Sequence, residues 1–243
     1  KDVFKQLTIT EEDIDEIIGQ SDRRDLILKY LQQMINIRYN KETNVIRINF
    51  ISQEASQANM FARSVLSEIE TIAIEYVVIN HNTTSLHDEI IALRMGLCPI
   101  DNPTFVGKMG DLRNNHVKTY LSVQSQPGEH LSVTTEDIKE FPFAQTTEIV
   151  QIRNGEALDC ECIATRGRGR DHPKFKAVST CAIMQMSGNT DITITSIGML
   201  PPKEIIIKGL YYMPDAASRI PATIFHKVDV PTDVKQYLDA QNQ

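Results

Sequence analysis

Residues 85–99, Ser-Leu-His-Asp-Glu-Ile-Ile-Ala-Leu-Arg-Met-Gly-Leu-Cys-Pro, constrain the fold of this chain most, because they predict a helix together with both of its ends. Ser85 is placed to accept an orphan N–H of the first turn, with Asp88 reaching back as in a capping box. His87, Asp88 and Glu89 fill that turn, where negative charge meets the positive end of the helix dipole. Gly96 is expected to supply the left-handed closing residue, and Pro99 forbids resumption. The His-Asp-Glu run invites an acid–base or metal reading. Consecutive helical positions diverge by about 100°, however, so the three side chains do not converge on one atom.

The rest of the chain alternates between helical and strand periodicities. Residues 1–44 read as helical. Thr10-Glu11-Glu12-Asp13 opens an acidic first turn, Ile14, Ile17 and Ile18 follow at helical spacing, and Gly19 stops the run. A second helix after Ser21-Asp22 carries a stripe of Leu26, Ile27, Leu31, Met34 and Ile35, expected to face the core. Beyond a polar turn at 40–44, Val45–Phe50 alternates as a strand. A helix through about Glu68 then brings Ala55, Ala58, Ala62, Val65 and Ile69 onto one stripe, with Phe61 beside it. The run 72–79 is apolar on both faces and is expected to be buried.

Residues 101–147 read as polar and irregular, apart from a strand at 117–123 and a helical turn at 134–139. Two strands, 149–152 and 157–164, flank Arg153-Asn154-Gly155-Glu156, a hairpin signal. A basic glycine loop follows, then strands at 177–186 and 191–197. The helix opened by Pro201-Pro202 bears Ile205, Ile206, Ile207, Leu210 and Tyr211 and is expected to end at Pro214. The tail reads as loop with a last turn at 232–240. This order predicts an α+β fold.

Chemistry is sparse. The 243 residues carry a net charge of −7, so any phosphate contact needs a local patch, and no apolar run approaches the length of a membrane span. The sequence starts at Lys1 and is silent on targeting signals. Four cysteines, 98, 160, 162 and 181, point to a reducing compartment. Cys160-x-Cys162 lacks a second pair or matching histidines, so neither zinc nor an iron–sulfur cluster is expected. Hydrolase, zincin and paired-carboxylate patterns do not occur, and no cofactor or catalytic residue is assigned. Arg166–Lys176 sets five cationic residues against Asp171, with glycines at 167 and 169. Such a loop suits a phosphate cradle or a solvated turn.

Six blocks in order resemble one family. They are Gln57–Ile69 followed by Thr71–Val77, Leu86–Ile100, Val133–Ile138, Ile152–Leu158, Arg166–Phe175 and Thr195–Ile205. Together they resemble the α-like subunits of multisubunit DNA-dependent RNA polymerases, the family of bacterial α, archaeal D and the third-largest eukaryotic subunit. The resemblance implies a non-catalytic assembly subunit with a discontinuous dimerisation domain, an inserted, mostly β domain and an N-terminal helical extension. The corresponding spans are 1–44 for the extension, 45–72 and 186–243 for the dimerisation domain with its tail, and 73–185 for the insert.

It further implies a heterodimer with a smaller α-like subunit, through Ala55, Ala58, Phe61, Ala62, Val65, Ile69, Ile205, Ile206 and Leu210. The second-largest polymerase subunit would be met by Arg63, His87, Asp88, Glu89, Arg94, Arg166, Arg168, Arg170, His172 and Lys174. Direct sequence-specific nucleic-acid contact and membrane association are not implied. Location would be nuclear in a cellular eukaryote, and cytoplasm or virion for a large DNA virus. The chain departs from the family pattern at Ala62, where a second basic residue is usual, and at Pro214, which interrupts a long final helix. Two alternatives stay open: a nucleotide-binding enzyme using the Arg166–Arg170 loop, and an adaptor that no longer assembles into a polymerase.

Overall fold

A computed structural model describes residues 4–19, 21–51, 55–109, 116–186 and 189–218, with the side chains at 55, 109, 186 and 216–218 outside that set. The turn expected at 232–240 lies outside the described residues. The fold is α+β, and the chain divides into two compact units. One is built from the segment ending at Ile69 together with the segment resuming at Lys176; the other is Glu70–Phe175.

The first unit begins with β1 (Lys5–Gln6) and α1 (Glu11–Ile18). Thr10 and Asp13 form a reciprocal capping box, and Gly19 closes the helix at φ +65°. In α2 (Arg24–Gln33) the apolar stripe stops sooner than expected, because Met34 and Ile35 open β2 (Met34–Asn40) instead of continuing the helix. Ile35, Ile37 and Tyr39 favour a strand, and the tight turn at 41–44, with Asn44 at φ +53°, returns the chain antiparallel as β3 (Val45–Phe50). Ile46, Ile48 and Phe50 face inward and Arg47 outward, as the alternation predicts. Next comes α3 (Ala55–Ser67).

The second unit starts with β4 (Glu70–Asn82), whose first half is buried as expected. Its second half is not: Tyr76 and Val78 are 58% and 48% exposed, because one face of this sheet is left open. After α4 (Asp88–Leu97), the stretch read as irregular contains α5 (Asn102–Met109). Asp101 caps it by accepting from Thr104 N–H at 3.3 Å, and Pro103 sits in its first turn. Asn102 is buried and accepts from Ile72 N–H at 2.6 Å, fastening α5 to β4. Then follow β5 (Val117–Gln124), β6 (His130–Thr134), β7 (Glu148–Arg153) and β8 (Ala157–Arg168).

The Asn154-Gly155 turn forms, with φ of +54° and +85°, but it does not make the expected hairpin. β7 pairs with β6, whereas β8 is the centre of a β4–β8–β5 sheet. The edges beside the turn are claimed by other segments: Ser125 N–H donates to Glu156 O and Thr83 N–H to Ala157 O, both at 3.0 Å.

Back in the first unit, β9 (Val178–Met186) and β10 (Asn189–Ser196) complete an antiparallel sheet in the order β1–β2–β3–β10–β9. It is followed by α6 (Pro202–Tyr211) and α7 (Met213–Ser218). The helix thus ends at Tyr211, before Pro214, and the proline sits in the first turn of α7, where a missing N–H costs nothing. Helix α3 packs on β9, β10 and α6, while α1 and α2 pack on α6. Gly209 permits the α3–α6 approach: a Cβ there would stand 2.6 Å from Val65 Cγ2 and 2.9 Å from Phe61 Cε2. Ser64 Oγ donates to Gly209 O at 2.6 Å across the same contact.

Candidate functional site

The stripe expected to meet an α-like partner lies inside the first unit. Ala58, Phe61, Ala62, Val65, Ile69, Ile205, Ile206 and Leu210 are all at most 5% exposed in the single chain. Their apolar surface is taken up by the α3–α6 layer and the sheet beneath it, so they shape that layer rather than form its outer surface. Ala55 starts α3, and its side chain lies outside the described residues. Arg63, on the same helix, is exposed.

Helix α4 is capped differently from the sequence expectation. It starts at Asp88 behind His87, which makes no side-chain cap, and Ser85 lies outside the helix. Asn82 takes the fastening role, its Nδ2 donating to Asp88 Oδ1 at 2.6 Å and to Leu86 O at 2.9 Å. Gly96 is not left-handed but helical; its Cβ would come within 3.4 Å of Ile74 O, so its role is close packing on β4. The helix stops because Cys98, preceding Pro99, is extended.

Ile91 and Met95 of α4 enter the core of the second unit. Ile90, Leu93 and Leu97, at positions i, i+3 and i+7, are 40%, 54% and 50% exposed. His87, Asp88, Glu89 and Arg94 border this row and are also exposed. Arg94 is held in place, its Nη1 donating to Ile149 O at 2.8 Å. The apolar row was missed in the sequence. Its signal was present, since a helix apolar on more than one face has residues left over once the core is filled.

The basic loop is an internally braced turn. Its Asp171 carboxylate accepts from Arg168 N–H at 3.3 Å and lies 3.5 Å from Arg170 Nε. The carboxylate therefore takes a backbone donor that a phosphate would need. Arg166 faces Glu70 at 3.5 Å. Lys174 is nearly buried, pairs with Glu75 at 3.0 Å and stands 5.2 Å over the Phe175 ring. Its charge belongs to the fold rather than to the surface. His172 Nδ1 accepts from Lys174 N–H at 3.2 Å. Gly167 is required because a Cβ would lie 2.5 Å from the Phe175 ring.

Cys98, Cys160 and Cys162 are core residues of the second unit and Cys181 is half-buried in β9. Burial pushes the Cys98 and Cys181 thiols up to about 11, and the hydrogen bond to Cys160, with burial, raises Cys162 as well. Among the described residues no group of three or more His, Cys, Asp or Glu side chains is arranged to hold a metal ion, and no helix is long and apolar enough to cross a membrane.

No family model matches the chain. Among curated proteins it is similar to DNA-directed RNA polymerase subunit Rpo3 of Methanocaldococcus jannaschii, 28% identical over 190 residues that cover 76% of this chain and 94% of the relative. Rpo3 of Pyrococcus horikoshii is 31% identical over 148 residues, 59% of this chain and 57% of the relative. The DNA-directed RNA polymerases I and III subunit RPAC1 of Homo sapiens is 27% identical over 176 residues, 58% of this chain and 51% of the relative, so the match spans about half of the human protein. These similarities support an α-like subunit of DNA-directed RNA polymerase. The similarity extends to both archaeal Rpo3 and eukaryotic RPAC1.

Proposed function

We propose that the chain is a non-catalytic assembly subunit of its polymerase, pairing with a smaller α-like subunit through the first unit and docking the second-largest subunit through the second. The observation that carries this reading is the α4 surface: Ile90, Leu93 and Leu97 exposed in one row, bordered by His87, Asp88, Glu89 and Arg94. A contiguous apolar row rimmed by charge marks a protein contact, and burying it contributes roughly 25 cal/mol per Å². Arg166, Arg168 and Arg170 add guanidinium forks suited to partner carboxylates, with His172 beside them.

In the first unit, the buried stripe from Ala58 to Ile69 and the Ile205, Ile206 and Leu210 face of α6 build the α3–α6 layer, and Arg63 lies on its exposed side. In this reading the first unit is the dimerisation domain and the second the insert. No cofactor is required of this subunit, and its location follows the parent enzyme: nucleus in a cellular eukaryote, cytoplasm or virion in a large DNA virus.

Co-expression with an α-like subunit and a second-largest subunit tests the reading. Both are expected to co-purify with the chain, and Leu93→Asp/Leu97→Asp is expected to release the second-largest subunit while the α-like pair persists. A monodisperse monomer with affinity for neither overturns the proposal. The nucleotide-binding alternative predicts heat on titration with nucleotides that Arg168→Ala abolishes; Asp171, occupying the loop's own donor, argues for no heat.

A further inference from the structure

The open face of the sheet in the first unit carries a feature that folding alone does not explain. Arg38 on β2 and Arg47 on β3 are directly opposed in the antiparallel register, and both are exposed. Opposed residues sit about 4.5–5.5 Å apart at Cα, and like charges so placed destabilise a sheet. The arrangement depends on an irregularity. The β2–β3 register shifts between Ile35 and Arg38, and Asn36 adopts φ +53°, a left-handed conformation unusual for a side-chain-bearing residue. The extra residue turns Ile37 into the core and Arg38 out, opposite Arg47.

These residues border a shallow depression of about 400 Å³, lined also by Asn49, Asp191, Thr193 and Met184. Arg47 is pre-set, its Cζ 4.3 Å over the Phe4 ring. Asn49 Nδ2 donates to Asp191 Oδ1 at 2.7 Å, which fixes the amide orientation and leaves Asn49 Oδ1 with no hydrogen-bond partner. Met184 adds an apolar patch, 59% exposed.

We infer that this depression binds an acidic peptide segment of a partner protein, a carboxylate side chain lying between Arg38 and Arg47. Two guanidiniums that repel each other in the empty sheet become complementary to one anion placed between them. The remaining lining selects peptide over nucleic acid. Asp191 and Asn49 Oδ1 are acceptors that suit peptide N–H groups and oppose a run of phosphates, and Met184 suits an apolar side chain next to the acidic one. This inference does not rest on the α4 and basic-loop docking proposed above, which belongs to the second unit.

The test uses the full chain, a fluorescein-labelled peptide of alternating glutamate and leucine, and a single-stranded oligonucleotide of equal net charge. Peptide binding is expected at low salt, weakened roughly tenfold or more in Arg38→Gln/Arg47→Gln. The melting temperature of that variant is expected to equal or exceed that of the unchanged chain, because a like-charge pair has been removed. Absence of peptide binding, equal binding by the variant, or tighter binding of the oligonucleotide overturns the inference. Should the double variant fail to fold, amide exchange on the unchanged chain decides: the peptide is expected to slow exchange across 36–49 and 189–195, and unchanged exchange there overturns it.

Discussion

The two units spend their apolar residues differently. In the first, α3 is buried almost all round, and residues that a helical wheel suggests for a partner, such as Phe61 and Val65, are consumed by α6 of the same chain. In the second, the core is filled by Ile91, Met95, Phe105, Leu121 and the strand cysteines, and good apolar residues remain outside: the α4 row, and Tyr76, Val78 and Tyr120 on the open sheet face. An apolar stripe therefore predicts burial, and only the fold decides whether the chain itself or a partner does the burying.

The largest effect expected of that difference is from Phe61→Ala. The ring is fully buried between α3 and α6, so its loss should cost about 3–5 kcal/mol in chemical denaturation. A cost within the ordinary surface range would mean that this stripe is not core. Overpacking the close approaches should cost roughly 1–3 kcal/mol each. Gly209→Ala drives a methyl into Val65 and Phe61, and Gly167→Ala drives one into the Phe175 ring, displacing the neighbouring Lys174 from Glu75. Amide exchange should then rise around α3 for the first variant and around β8 for the second, each effect staying within its own unit.

How legible this was in the sequence follows the range of the determining interactions. Alternation placed β3 and β10, the Thr10–Asp13 box placed α1, and Pro202 placed α6, since each depends on neighbours within a few residues. Asp101 and Pro103 mark the start of α5 just as locally, but no long apolar stripe accompanies them, so the segment has the sequence pattern of a loop. The misread cases depend on distant partners. Gly96 looked like a helix stop but answers to Ile74 O on β4, and Asn154-Gly155 makes its turn while its flanking strands pair elsewhere. Ser85 lost the cap to Asn82. For the site, the charged border of α4 was visible, whereas the exposed apolar row emerges only once it is known which face of the helix the core has taken.

That row gives a sharper break in the comparison at smaller cost to the fold. Leu93→Asp should change the stability of the isolated chain by no more than about 0.5 kcal/mol, since the side chain is half exposed already. Val65→Asp, equally conservative on paper, buries an unpaired charge and should prevent folding of the first unit. Similar losses from both, read by thermal melting, would erase the distinction between the inner and outer stripes.

The smallest effect concerns the polar fastening of the first unit. Lys203 Nζ lies 2.8 Å from both carboxylate oxygens of Asp13, and Thr10 donates its N–H at 2.7 Å and its hydroxyl at 2.9 Å. The Lys203 hydrogen bond, then those from Thr10, hold the Asp13 pKa down at about 2, from an ordinary 3.8. Between those values the unfolded chain binds the proton more readily than the folded one, so stability rises with pH there. The contribution is complete above the ordinary value and is lost as pH falls toward 2. Partial exposure of the pair keeps it modest. Carboxyl-detected NMR should place the Asp13 midpoint near that low value in the intact chain and return it toward 3.8 in Lys203→Met. The stability difference between the intact chain and Asp13→Asn should shrink steadily on acidification across the same interval. A midpoint already at the ordinary carboxylate value would show that α1 is not fastened to α6 in solution, and that the first unit is held by its apolar layer alone.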